Sequence, residues 1–127
     1  MNTITKRLEN VKKLQAKRWD NEDHWDAIND LLIKELDEIL LIEPQNTAAL
    51  INIGAIYSDM GENETALKYL KTALSLGSED KNLLINLSIV MVYMEKHPEE
   101  YHEYLETSEG KTEDPLTFKA YFDPQSQ

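Results

Sequence analysis

Residues 44–78 read PQNTAALINIGAIYSDMGENETALKYLKTALSLGS. Apolar and small residues recur in this stretch at helical spacing, on both sides of a glycine. The two patterns are Leu50-x-x-Ile53-Gly54-x-x-Tyr57 and Ala66-x-x-x-Leu70-x-x-Ala73, with Gly61 between them. Small residues let two helices cross closely, while the larger side chains interlock. The stretch therefore predicts two helices joined by a tight turn.

This pattern resembles the tetratricopeptide repeat (TPR), a helical hairpin of ~34 residues. Gly54, Tyr57 and Ala66 stand at consensus positions of that repeat. The conservative replacements are Leu50, Ile53 and Leu70, and Ser78 stands where the closing proline is expected. The resemblance implies a binding surface rather than a catalyst, with the first helix of each unit lining it.

The same period recurs further along the chain. Asn52 is followed after 34 residues by Asn86, and the same offset relates Ile51 to Ile85. We divide the chain into a degenerate N-terminal hairpin (1–43), the best-matching repeat (44–77), a degenerate repeat (78–107), and a linker with an apolar tail (108–127). The expected fold is all-α: antiparallel helical hairpins stacked as a short right-handed TPR-like solenoid of about three repeats.

Capping and helix-breaking residues set the expected bounds of the helices. Asp20 or Asn21 is the predicted N-cap of the second helix, which ends near Pro44. Later helices are expected at 47–60, 63–76, 82–94 and 98–107, with a turn at 95–97. The predicted caps and turn residues for these helices are Asn46 or Thr47, Gly61, Gly77, and Ser78 or Asp80.

The C-terminal tail is apolar for a terminal segment. Leu116, Phe118, Tyr121 and Phe122 lie between two prolines, after a polar linker. Repeat arrays need a cap on their last unit. We therefore expect the tail to cover the last repeat, with a free binding peptide as the alternative.

Charge is unevenly distributed. The chain carries a net charge of −11, yet residues 1–18 hold six basic side chains and one acidic side chain. An acidic body repels phosphate backbones, so we expect no nucleic-acid partner. Intramolecular pairing with residues 20–30 or 35–43, or simple solvation, explains the basic helix; a functional basic patch is the alternative. No apolar run approaches the ~20 residues of a membrane helix, so we expect a cytoplasmic protein without membrane contact.

The predicted binding site is the groove lined by the first helices of the second and third units. Its residues, transferred from the resemblance, are Ala48, Ile51, Asn52, Ala55, Ser58 and Asp59, followed by Asn82, Ile85, Asn86, Ile89, Val92 and Tyr93. Many of these are apolar, so a partner segment, the tail or a second copy should cover them. No Lys or Arg lines this groove, which disfavours the carboxylate clamp of chaperone-binding TPR proteins.

Catalysis is not expected. The only metal-like pattern is Glu99-x-x-His102 with Glu103 and Glu106, and a di-iron bundle needs a second such pair. A solvated acidic helix face explains these residues. There is no cysteine and no glycine-rich phosphate loop. We therefore expect neither metal nor cofactor.

The sequence thus predicts a non-catalytic protein-interaction module, an adaptor or a chaperone-like protein. Its partner would be another protein that places an apolar helix or extended segment, with or without a basic flank, in the groove. A homodimer is a further alternative. The second functional hypothesis is an acidic immunity-type inhibitor that neutralises a basic toxin, such as a nuclease, by electrostatically steered binding.

Overall fold

Six α-helices follow one another along the part of the chain that the computed structural model describes, residues 3–20, 22–95 and 98–120. They are α1 (Thr3–Ala16), α2 (Trp25–Ile42), α3 (Thr47–Asp59), α4 (Asn63–Ser75), α5 (Lys81–Tyr93) and α6 (Pro98–Ser108). Two 3-10 turns, Lys17–Asp20 and Glu22–His24, connect α1 to α2. No β-strand occurs within these ranges. The expected all-α class is confirmed.

Helices α3 and α5 begin at the predicted capping residues. The Asn46 side chain accepts a hydrogen bond from the Ala49 amide at 2.9 Å, and Asp80 accepts one from the Asn82 amide at 2.9 Å. Each cap satisfies an amide at the start of a helix that has no partner within that helix. Gly77, after α4, has φ 93°, the left-handed conformation expected of a C-terminal glycine.

The start of α2 differs from the expectation. Its N-cap is His24, which makes no capping hydrogen bond through its side chain. Asp20 ends the first 3-10 turn instead of capping α2, and Asn21 lies outside the described residues. Arg18 is buried and bonds to the Gln15 carbonyl and to Asn29. We attribute the later start of α2 to these contacts, which hold the connection against the helices.

Each helix packs against its neighbours in sequence, and α3 also contacts α5. One core cluster joins α1, α2 and α3 to Ile89 and to the segment after α6, while the other joins α3, α4 and α5. This packing is consistent with a helical repeat. The first hairpin departs from the repeat in length, because α2 has 18 residues whereas α3, α4 and α5 have 13 each.

Gly54 of α3 lies in close contact with Leu70 of α4. A Cβ atom at this position would lie 2.7 Å from both Cγ and Cδ2 of Leu70. Leu70 is fully buried, so its side chain has no open space to move into. The predicted close crossing of two helices, with a small residue of one against a large residue of the other, is present at this contact.

Gly54→Ala is therefore expected to lower the free energy of unfolding by about 1–3 kcal/mol, the usual cost of overpacking a core. This holds although alanine favours a helix over glycine by about 1 kcal/mol. Urea denaturation measures the change. Gly110→Ala is the matched control, because a Cβ there meets no atom within 4 Å. Equal stability of the two variants would contradict the close approach.

Tyr57 and Tyr69 stack with ring centroids 5.7 Å apart and nearly parallel planes. Burial raises the pKa of Tyr57, and the neighbouring Tyr69, Asp37 and Glu62 raise it further. Burial and then Asp37 raise the pKa of Tyr69. Both causes disfavour the phenolate in the folded chain.

The tyrosine pair is expected to make stability fall in alkaline solution. The folded pKa values lie above the unfolded value of about 10, so the unfolded chain releases its protons first. The contribution is therefore complete below about pH 10 and is lost as the pH rises through the folded pKa values. Urea denaturation between pH 8 and pH 11 should show a shallower loss for Tyr57→Phe/Tyr69→Phe than for the wild type. Parallel curves would contradict this assignment.

Candidate binding groove and its occupant

The surface of α3 and α5 that we call the groove holds residues 116–120 of the same chain. Asn52, at the middle of α3, is fully buried. Its side-chain nitrogen donates to the Leu116 carbonyl at 2.9 Å, and its side-chain oxygen accepts from the Phe118 amide at 3.1 Å. Asn52 therefore binds the two main-chain groups that flank Thr117.

Asn86 on α5 repeats this arrangement one period later. It is also fully buried, donates to the Phe118 carbonyl at 3.1 Å and accepts from the Ala120 amide at 2.9 Å. It therefore binds the groups that flank Lys119. Two asparagines 34 residues apart thus hold the backbone of residues 116–120 at positions two residues apart. A carboxamide offers a donor and an acceptor together, which suits this role.

A third polar contact fixes the segment through a side chain. The Thr117 hydroxyl accepts a hydrogen bond from Asn82 at 3.0 Å and lies 2.8 Å from a carboxylate oxygen of Asp80. The other oxygen of Asp80 caps α5 and accepts from the Asp114 amide at 3.3 Å. The start of α5 and the start of the bound segment are therefore held by the same carboxylate.

Apolar side chains of the segment enter the first core cluster. Phe118 is 5% exposed and Ala120 is 6% exposed, and Leu116 packs against the same cluster. Ala48 and Ala55 of α3 and Ile89 of α5 belong to that cluster, and Ile85 packs against it. The tail thus packs in the same cluster as Ala48, Ala55 and Ile89 of the predicted groove, next to Ile85. Tyr121 and Phe122 lie outside the described residues.

The remaining predicted groove residues have different surroundings. Ile51 is buried in the second cluster, because α3 is also packed against α4 and α5. Ser58 is buried and Val92 is half-buried, whereas Tyr93 is 44% exposed at the end of α5. The structure therefore brings together the asparagines, the alanines and the isoleucines 85 and 89, and it places Ile51 between the helices.

Asp59 lies at the end of α3, on the same helical face as Asn52 and Ala55. Its carboxylate is fully buried and lies 2.9 Å from the guanidinium of Arg18, whose side chain is 1% exposed. The same guanidinium donates to Asn29 at 2.9 Å and stacks 4.8 Å from the centre of the Trp25 ring. Arg18 thus ties the segment after α1 to both α2 and α3.

The basic helix α1 makes the predicted intramolecular pairs. Arg7 contacts Glu35 at 2.6 Å and Glu38 at 2.7 Å, and the hydrogen bond to Glu35 is the main cause that raises the pKa of Arg7. Lys12 donates to the Pro115 carbonyl at 2.5 Å. Helix α1 therefore borders the groove as well as packing on α2.

Within the described ranges, no three His, Asp or Glu side chains lie close enough together to hold a metal ion, and this includes Glu99, His102, Glu103 and Glu106. The helices described here are each too short or too polar to cross a bilayer.

Asn52 and Asn86 belong to the predicted groove, and a bond to backbone is one expectation for such asparagines, but the sequence does not show that this backbone is that of residues 116–120. Their recurrence after 34 residues was the available signal, since a repeated buried carboxamide needs a repeated partner. The Arg18–Asp59 pair had no comparable signal.

No protein-family model matches the chain, and no curated protein matches it, so the TPR resemblance rests on the residues quoted above.

Proposed function

We propose that this chain is a protein-binding module that accepts an extended segment of a partner protein in the groove of α3 and α5. The observation that carries the proposal is the pair Asn52 and Asn86, each of which binds the carbonyl and the amide on the two sides of one residue of the segment 116–120. Such bonds use main-chain groups and no particular side chain. A segment from another protein offers the same groups.

The geometry favours an extended segment over a helix. In a helix the amide and carbonyl groups are bonded to each other, so few remain for an asparagine. The buried carboxamides of Asn52 and Asn86 would then lose their partners, at a cost for each. We therefore narrow the sequence-based hypothesis of an apolar helix or extended segment to an extended segment. An adaptor or a chaperone-like role is compatible with this binding.

Selection from a display library of random peptides tests the proposal. Peptides are selected on a chain that carries Phe118→Ala, because the tail of the wild-type chain lies in the groove and would itself be weakened by a change at Asn86. These peptides should lose binding when Asn86→Ala is added, because this substitution removes a donor and an acceptor from the groove. The matched control adds Gln45→Ala, which changes an exposed polar residue in the turn before α3. Peptides that bind equally tightly with and without Asn86→Ala would contradict binding in the groove.

A second candidate function, the acidic immunity-type inhibitor, is favoured by one surface. Glu99, Glu100, Glu103, Glu106 and Glu109, on α6 and the turn after it, are all exposed. Such a surface would attract a basic protein, and the attraction would weaken steeply with salt. A basic protein that binds Asn86→Ala normally and is released by high salt would favour this function. Groove binding should persist in salt.

A further inference from the structure

The segment in the groove makes the contacts that a bound peptide would make. Its polar contacts to α3 and α5 run through Asn52, Asn82 and Asn86, and Lys12 of α1 contacts Pro115. The connection between α6 and this segment lies mostly at the surface. The side chains of Glu109, Thr112 and Glu113 are exposed, and Lys111 pairs with the exposed Glu79. The main chain of this connection is bonded to α5 where the Thr112 carbonyl accepts from the Lys81 amide at 3.0 Å. A short surface connection thus joins α6 to the segment in the groove.

The asparagines also fix the register of the bound segment. They bind the groups around residues 117 and 119, and side chains of an extended chain alternate between two sides. Leu116 lies in a turn that the Thr117 amide closes on the Asp114 carbonyl at 3.0 Å, and Phe118 and Ala120 follow this turn; all three side chains lie with the first core cluster. Thr117 is directed to Asp80 and Asn82, whereas Lys119 is exposed.

We infer that the groove selects an extended partner segment with an aliphatic, an aromatic and a small side chain at alternate positions, and that residues 116–120 occupy the groove until such a segment displaces them. This inference rests on the function proposed above. The position of Phe118 is deeply enclosed and suits an aromatic ring. Ala120 is almost as buried, so a larger side chain there must displace its neighbours.

The tether makes the tail a strong competitor for its own site. A segment joined by a short flexible linker acts at an effective concentration on the order of millimolar. A free peptide of the same sequence must overcome this concentration and therefore binds the intact chain weakly. Loosening the tail should expose the groove without changing α3 or α5.

The test measures the fluorescence anisotropy of a labelled peptide with the sequence of residues 112–120. The full-length chain with Phe118→Ala should bind this peptide at least tenfold more tightly than the wild type does. Lys119→Ala is the matched control in the same tail, because its side chain is exposed, and it should behave like the wild type. A Phe118→Ala chain that keeps its native melting transition and binds no tighter than the wild type overturns the inference.

A second peptide distinguishes a failure of the inferred selectivity from a failure of the proposed function. It exchanges the Thr and Phe at positions 117 and 118, so its composition is unchanged while the aromatic ring faces the wrong side. We expect at least tenfold weaker binding of the exchanged peptide to Phe118→Ala. If both peptides bind equally, and binding requires Asn86, the proposed function stands and the inferred selectivity is wrong. If neither peptide binds while library peptides do, the selectivity is again wrong.

A cleavable chain covers the case in which Phe118→Ala does not fold. A protease site inserted at Gly110, in the exposed turn after α6, allows the wild-type tail to be cut after folding. The labelled peptide should then replace the severed tail, and the released fragment is measured by mass spectrometry. A severed tail that stays bound in a hundredfold excess of peptide shows that it is a fixed part of the core, which overturns the inference.

Discussion

The Asp59→Ala variant is expected to lose about 3–5 kcal/mol of its free energy of unfolding, the cost of breaking a buried ion pair by removing one partner. Both side chains of the Arg18–Asp59 pair are buried. The substitution leaves the Arg18 guanidinium in the interior without its carboxylate, and Asn29 supplies only a neutral acceptor. Urea denaturation at neutral pH measures the loss.

Two further variants show whether the burial of the Arg18–Asp59 pair causes the loss of stability in Asp59→Ala. Arg7→Ala breaks ion pairs with Glu35 and Glu38 that solvent reaches, so its effect should be much smaller. The double variant Arg18→Met/Asp59→Leu removes both charges and should recover most of the stability lost by Asp59→Ala. A loss in Asp59→Ala no larger than that in Arg7→Ala would show that the pair is not buried in solution.

Replacing either groove asparagine should be the next most damaging change. Asn52→Ala and Asn86→Ala each leave two main-chain groups of the tail without a partner, at about 1–2 kcal/mol for each group, the lower part of the usual range. We expect each variant to lose about 2–4 kcal/mol of its free energy of unfolding. Hydrogen exchange should locate the effect, because the amides of Phe118 and Ala120 lose their acceptors in Asn52→Ala and Asn86→Ala, respectively.

Asn82→Ala supplies a graded control for this prediction. Asn82 donates to the Thr117 hydroxyl rather than to the backbone of the tail, and Asp80 remains beside that hydroxyl. We expect a loss of about 1 kcal/mol, close to that of an ordinary hydrogen bond. Slow exchange of the Phe118 and Ala120 amides in all three variants would mean that the asparagines do not hold the tail.

The helices were predictable because local patterns specify them. The periodicity of α3, α4, α5 and α6, together with the caps Asn46 and Asp80, placed their bounds within a residue or so of those observed. The connection from α1 to α2 was not predictable in the same way. Arg18 in this connection contacts Asn29 of α2 and Asp59 of α3 as well as the nearby Gln15, and no local pattern records its contacts with the other helices.

The site was predictable in part. The 34-residue period places Asn52 and Asn86 at equivalent positions, and the apolar composition of the tail predicts that it covers the last repeat. Which face the tail covers depends on hydrogen bonds between the two asparagines and main-chain groups beyond position 115. Nearly every residue has the same main-chain amide and carbonyl, so the sequence of the tail does not show which of these groups the asparagines bind.

The spacing of Asn52 and Asn86 in the sequence differs from the spacing of the groups that they bind. The two asparagines are 34 residues apart, whereas the amides that they accept from, those of Phe118 and Ala120, are two residues apart. Two extended residues span about 6.6 Å, and they return the next side chain to the same side. We expect an additional helical hairpin with asparagine at the equivalent position to bind the next pair of main-chain groups, two residues further along a bound segment.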